Sequence, residues 1–213
     1  AALNEEIITP EKEIYSSGSI SVPNPYYPDK FSVFEDWKAH GWTDVRKAIA
    51  DSVNIYFYTI GGGYKETKGL GMQKMEKYLG KFGWGNVVGV DIPGEGDGLI
   101  PTPKWKKEVK SENWYIGDTY NASIGQGDIL ATPLQVAVST MAFANRGTLY
   151  RPVFVKEIGG RAVDAEIISD KLISLENIEI VREGLRRAVT EGSSIYLSTL
   201  PIEVAGKTGT AQI

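Results

Sequence analysis

Four stretches of the chain read as helices from their apolar spacing and end signals. In DVRKAIADSVNIYFYTI, Val45, Ile49, Val53, Tyr56 and Ile60 recur at helical spacing, which predicts one buried face. Thr43 is the expected N-cap. A second helix covers Leu70 to Phe82 and stops at Gly83. In ATPLQVAVSTMAFANRG, Thr132 is the N-cap, Pro133 takes the first helical position and Gln135 completes a capping box, with Gly147 as the stop. A fourth helix opens at Ser174 or Glu176 and ends about Thr190. Between these, residues 15–31 are rich in Ser, Gly, Pro and Tyr and predict loop with short extended pieces. Gly83 to Gly127 is expected to be mostly irregular, with DIPGEGDGLIPTP as a turn-rich segment. YRPVFVKEI and the closing IEVAGKTGTAQI are expected strands. The opening AALNEEIITP reads as the last turns of a helix, stopped near Thr9 and Pro10.

Composition narrows the picture only a little. The 213 residues are 42% hydrophobic and 23% charged, which is the range of folded chains with a sizeable core. A net charge of −4 gives no sign of a nucleic-acid binder. With no cysteine there are no disulfides and no thiolate chemistry. No apolar run approaches about 18 residues, the length that would cross a membrane. Both termini read as cut within an element, so the chain is expected to be an internal piece of a longer protein.

Candidate chemistry lies in two short motifs. Ser52 and Asn54 form S-x-N at the end or break of a helix. A serine hydroxyl relays a proton, and an asparagine amide holds a peptide carbonyl and N–H together. Taken alone, two polar residues on a solvent face explain the motif as well. Lys207, Thr208 and Gly209 form K-T-G, followed by Thr210. A cation and a hydroxyl suit a carboxylate. A glycine inside a strand lets another backbone approach, as an added strand would. A lysine on an edge strand, however, also serves simply to discourage aggregation.

The two motifs in this order, with DWKAHGWTDVRKAIADSVNIYFY, YLGKFGWGNVVGVDIPGE, NWYIGDTYNASIGQGDILATPLQ and VAGKTGTAQ around them, resemble the penicillin-binding proteins and serine β-lactamases. Within that group the chain is most similar to the class B, elongation-type penicillin-binding proteins, which are cell-wall D,D-transpeptidases. The resemblance covers nearly the whole chain and is least distinct over residues 160–200. It implies an α+β fold, with an antiparallel sheet flanked by helices and truncated at both ends. It also implies a location on the extracytoplasmic face of the bacterial cytoplasmic membrane. The family nucleophile, the serine of S-x-x-K, occurs nowhere in the 213 residues. Its imitation at Thr9-Pro10-Glu11-Lys12 has threonine for serine and a helix-breaking proline. The resemblance places the missing serine and lysine upstream of Ala1.

By the same resemblance the substrate is a stem peptide ending in D-Ala-D-Ala, β-lactams imitate it, and a membrane glycosyltransferase of the elongation machinery is the partner. Ser52 then returns a proton to the leaving group, Asn54 orients the donor amide, and Lys207 supplies positive potential. Thr208 and Thr210 hold the terminal carboxylate, Gly209 leaves room for the peptide, and the Thr210 N–H is one oxyanion donor. No cofactor is implied, and this chain by itself is expected to be inactive. Two alternatives share the fold: a β-lactam-sensing receptor domain and a class D-like β-lactamase. The segment WYIGDTYNASIGQGDILATPLQ resembles the transpeptidases instead.

Asp118, Thr119 and Gln126 in the Gly-rich GDTYNASIGQG lack the lysine-Ser/Thr ending of a phosphate loop, so a structural loop beside the groove is expected. Some relatives hold zinc near His40 with Asp, His and Cys. Here there is no Cys and His40 is displaced, so a hydrogen-bonded loop histidine is expected. Trp37, Trp42, Trp84, Trp105 and Trp114 are expected mainly to pack long loops onto the core.

Overall fold

The computed structural model describes residues 1–27 and 29–210. The first helical pattern folds as two helices, α1 (Val45–Asp51) and α2 (Asn54–Gly62), broken at Ser52 and Val53. The five patterned residues Val45, Ile49, Val53, Tyr56 and Ile60 are all buried in one cluster, so the periodicity survives the break. The N-cap is Asp44, not Thr43: the Asp44 carboxylate accepts from the Lys47 N–H at 2.8 Å. Thr43 is unavailable because it is buried in a strand and donates its hydroxyl to the Ile14 carbonyl.

Helix α3 (Gly71–Lys81) follows. The segment expected to be irregular instead holds α4 (Pro103–Lys110) and α5 (Ile116–Ser123). Thr102 caps α4 by accepting from the Trp105 N–H at 3.0 Å, with Pro103 in the first turn. This is the same Thr-Pro start that marks α6 (Pro133–Ala144), where Thr132 and Gln135 form the expected capping box. Ser174 caps α7 (Leu175–Thr190), and a short 3-10 turn covers Ile195–Thr199.

The α+β class holds, but the strands among the described residues form four two-stranded antiparallel sheets and no larger one. β1 (Ile14–Ser16) pairs with β4 (Gly41–Thr43), and β2 (Ser19–Pro23) pairs with β3 (Phe31–Glu35). β5 (Leu149–Tyr150) pairs with β8 (Ile167–Ser169), and β6 (Glu157–Ile158) with β7 (Arg161–Ala162). The expected continuous strand Tyr150 to Ile158 is therefore interrupted. Its middle N–H groups, of Phe154 and Val155, donate to the Asp91 carboxylate at 2.7 and 2.9 Å and not to a neighbouring strand. The expected last strand is also corrected: residues 202–210 join no sheet among the described residues. They are tied to α7 by Gly206 N–H to the Leu185 carbonyl and by Arg186 to the Val204 carbonyl. The end of that expected strand, residues 211–213, lies outside the described residues.

The main core joins α1, α2 and α7. Gly184 permits the α1–α7 approach: a Cβ there would stand 2.9 Å from the Cβ of Ile49. A second cluster, Ile20, Ile55, Tyr58 and Tyr120, packs the β2–β3 hairpin and α5 against α2. Both faces of the S-x-N region are thereby fixed by buried apolar contacts, each worth on the order of 2 kcal/mol for a full side chain. Among the described residues, no helix is long and apolar enough to cross a membrane.

Candidate active site

Ser52 is where α1 ends. Its backbone is left-handed, with φ 57° and ψ 51°, a conformation that costs a non-glycine residue about 1–2 kcal/mol. The fully buried Val53 then leads directly into α2. This break turns the Ser52 hydroxyl away from the helical ladder. It accepts a hydrogen bond from Lys207 Nζ at 2.7 Å, although 155 positions separate the two residues.

The Lys207 ammonium also donates to the Thr208 carbonyl at 3.0 Å and to the Thr208 hydroxyl at 3.2 Å. The Thr208 and Ser193 hydroxyls lie 3.4 Å apart. Lys207 as a whole is exposed, yet its charged end is enclosed by these partners. Loss of water there pushes its pKa below the ordinary lysine value. Among the described residues, a Cβ added at Gly209 would meet nothing within 4 Å. The Thr210 carbonyl accepts from Gln126 Nε2 at 2.6 Å. Asn54 opens α2 and donates its side-chain amide to the Glu35 carbonyl at 3.4 Å.

Ser52, Lys207 and Thr208 are thus in direct contact, and Gly209 and Thr210 continue along the same segment. Sequence reasoning missed Ser193, which follows α7 in the turn Gly192-Ser193-Ser194. The sequence shows only a Gly-Ser-Ser turn there; in the structure a Cβ on Gly192 would collide with the Ala50 carbonyl, a mark of close approach between this turn and α1. Gln126 does belong to a loop beside the motif. Asp118 and Thr119 lie not in a loop but in α5, and are engaged locally: Asp118 pairs with Lys106 at 2.8 Å and caps α5 through the Tyr115 N–H, and Thr119 accepts from the Trp114 indole.

His40 requires a correction. Both ring nitrogens are buried without a hydrogen-bond partner among the described residues. Nε2 is 3.6 Å from an Asp36 oxygen and Nδ1 is 4.0 Å from an Asp51 oxygen. The Asp36 carboxylate is already occupied by the N–H groups of Trp37 and Ile55 and the Ser16 hydroxyl. Burial lowers the His40 pKa, against an opposing pull from Asp36. Among the described residues, no group of three His, Cys, Asp or Glu side chains could hold a metal ion. The tryptophans divide: Trp37 and Trp42 are exposed, whereas Trp84, Trp105 and Trp114 are partly covered.

Residues 1–213 match the penicillin binding protein transpeptidase domain family. The chain belongs to this family. Among curated relatives of this transpeptidase-domain chain, it is 33% identical over 203 residues to peptidoglycan D,D-transpeptidase MrdA of Acinetobacter baumannii, covering 92% of this chain and 29% of the relative. The corresponding protein of Escherichia coli K12 is 26% identical over 223 residues, covering all of this chain and 34% of the relative. Among solved structures, Pseudomonas aeruginosa PBP2 in complex with WCK 5153 superposes with a TM-score of 0.85 at 31% identity, covering all of this chain and 47% of that one. Helicobacter pylori PBP2 in its complex with MreC gives 0.81 at 30% identity, covering all of this chain and 39% of that one. The chain spans about a third of the length of these curated relatives.

Proposed function

We infer that this chain supplies the S-x-N and K-T-G half of a peptidoglycan D,D-transpeptidase site. The observation that carries the reading is the 2.7 Å contact between Lys207 Nζ and Ser52 Oγ, which joins the two motifs into one polar centre. The serine of an S-x-x-K motif, absent from these 213 residues, belongs to another part of a longer polypeptide. Residues 1–213 form a partial transpeptidase domain within it.

The reaction is acyl transfer. The serine Oγ loses its proton to the adjacent neutral lysine and attacks the penultimate carbonyl carbon of a peptide ending in D-Ala-D-Ala. The C–N bond breaks, and the D-Ala amine leaves with a proton returned through the Ser52 hydroxyl. An amine of a second stem peptide then attacks the ester, forming the cross-link and restoring the serine. Lys207 acts by charge: it attracts the terminal carboxylate and disfavours protonation of the neighbouring base. Thr208 and Thr210 hydroxyls receive that carboxylate, while the open face of Gly209 leaves room for the peptide backbone. Asn54 orients the donor amide, and the Thr210 N–H contributes to the oxyanion hole. β-Lactams enter as donor mimics. The site faces outward from the cytoplasmic membrane and works with a membrane glycosyltransferase of the elongation machinery.

The test compares the 213-residue chain with the full-length protein, each incubated with a fluorescent penicillin and with a donor peptide. Covalent label and D-Ala release are expected from the full-length protein only. Label without D-Ala release identifies a sensor. Label on the 213-residue chain contradicts the assignment of the nucleophile to another segment.

A further inference from the structure

The S-x-N turn is held from outside by the last residue of β3 and the two that follow it, none of which belongs to either motif. The Glu35 carbonyl accepts from the Asn54 amide at 3.4 Å. The Asp36 carboxylate accepts from the Ile55 N–H at 3.0 Å. The Trp37 indole N–H donates to the Ser52 carbonyl at 3.3 Å. The strap therefore contacts the residue on each side of the buried Val53 and one of the free N–H groups at the start of α2, that of Ile55.

Helix α2 needs such help. Its N-cap, Val53, has no side chain able to accept a hydrogen bond, and the first N–H groups of a helix have no partner within it. Asp36 supplies the missing acceptor from another element. Its side chain is fully buried, and it is itself fixed by the Trp37 N–H at 2.9 Å and the Ser16 hydroxyl at 3.3 Å. A buried carboxylate at a helix N-terminus is also favoured by the helix dipole. The Ser52 carbonyl needs a partner for a related reason, since a left-handed non-glycine residue persists only where its surroundings hold it.

We propose that residues 35–37 act as a positioning strap for the S-x-N motif, with Asp36 as an external cap of α2 and Trp37 as the clamp on Ser52. Lys207 reads this setting directly: Asp36 fixes Ile55, the turn fixes Ser52, and Ser52 accepts from Lys207 at 2.7 Å. The proposal rests on the transpeptidase reading for its catalytic consequence, though not for its geometry.

The experiment uses the full-length protein and the variants Asp36→Ala, Asp36→Asn and Trp37→Phe. It reads hydrogen exchange at the Ile55 amide, and separately the binding and acylation steps of a fluorescent penicillin. Asp36→Ala is expected to speed Ile55 exchange and slow acylation, each by about tenfold or more, with initial binding little changed. Asp36→Asn keeps an acceptor oxygen and should recover most of both. Trp37→Phe replaces the exposed indole with a smaller ring that has no N–H and should slow acylation about two- to fivefold with little change in melting temperature. If Asp36→Ala fails to fold, the other two variants still decide. Unchanged Ile55 exchange in Asp36→Ala, or unchanged acylation in Trp37→Phe together with no gain from Asp36→Asn over Asp36→Ala, overturns the strap. A wild-type protein that penicillin does not acylate defeats the transpeptidase reading instead, and Ile55 exchange then tests the strap alone.

Discussion

Ser52 and Lys207 meet at 2.7 Å, yet the segments that carry them are built differently. The S-x-N turn sits between two helices in the main core, with Ala48, Val53, Ile55 and Tyr56 almost wholly buried around it. The K-T-G segment is largely exposed and joins no sheet among the described residues. It is held by single hydrogen bonds from Arg186, Gly206, Lys207 and Gln126. One half of the candidate site takes its position from packing together with the hydrogen bonds of residues 35–37, the other from polar contacts alone. Packing defects at the first should therefore appear as lost stability, and changes at the second as lost function in a protein that still melts normally.

The largest expected functional effect without a stability effect is at Gly209. Among the described residues a Cβ there meets nothing within 4 Å, so Gly209→Val should melt like wild type. It should nevertheless cut acylation of the full-length protein about a hundredfold if a peptide backbone lies against that face. Wild-type acylation in this variant removes Gly209 from the groove.

The converse is expected at Gly184, where added methyl groups would press on Ile49. Gly184→Val should cost about 1–3 kcal/mol in denaturant unfolding, with acylation of the remaining folded protein changed far less. A neutral result would mean that α1 and α7 are not tightly coupled.

Gln126→Ala removes one bond to the exposed segment, through the Thr210 carbonyl. A destabilisation near 1 kcal/mol or less is expected, together with faster hydrogen exchange over residues 204–210. Faster exchange spreading into α1 or α2 would contradict the separation of the two halves.

The smallest effect concerns His40, whose folded pKa lies below 6.5 chiefly through burial. Above that value the ring is neutral in both folded and unfolded states, and its contribution is complete. As pH falls through the depressed folded pKa, the unfolded chain binds the proton more readily and stability is lost. His40→Phe should flatten the acid limb of stability against pH by about 1 kcal/mol or less.

The same contrast explains what was legible in the sequence. Val45, Ile49, Val53, Tyr56 and Ile60 announced their buried face because a helical period is a local signal. The capping box of α6 was legible for the same reason. Helix α4 carried a matching Thr102-Pro103 start but lay within a segment dense in glycine and proline, which hid it. The interrupted strand at 150–158 depended on Asp91, some sixty positions away, and the strap of Glu35, Asp36 and Trp37 likewise acts at a distance. The motifs named the candidate side chains, Ser52, Asn54 and Lys207 to Thr210. They held no information about Ser193, Gln126 or Asp36, whose roles arise only when α7, the Gly-rich loop and β3 converge.

The most direct test is a double-mutant cycle on acylation of the full-length protein by penicillin, using Ser52→Ala, Lys207→Ala and the pair. If the two residues form one centre, the double variant loses much less than the sum of the singles, with a coupling of about 1–3 kcal/mol. Losses that add within about 0.5 kcal/mol would mean that Ser52 and Lys207 act independently, and would contradict the account.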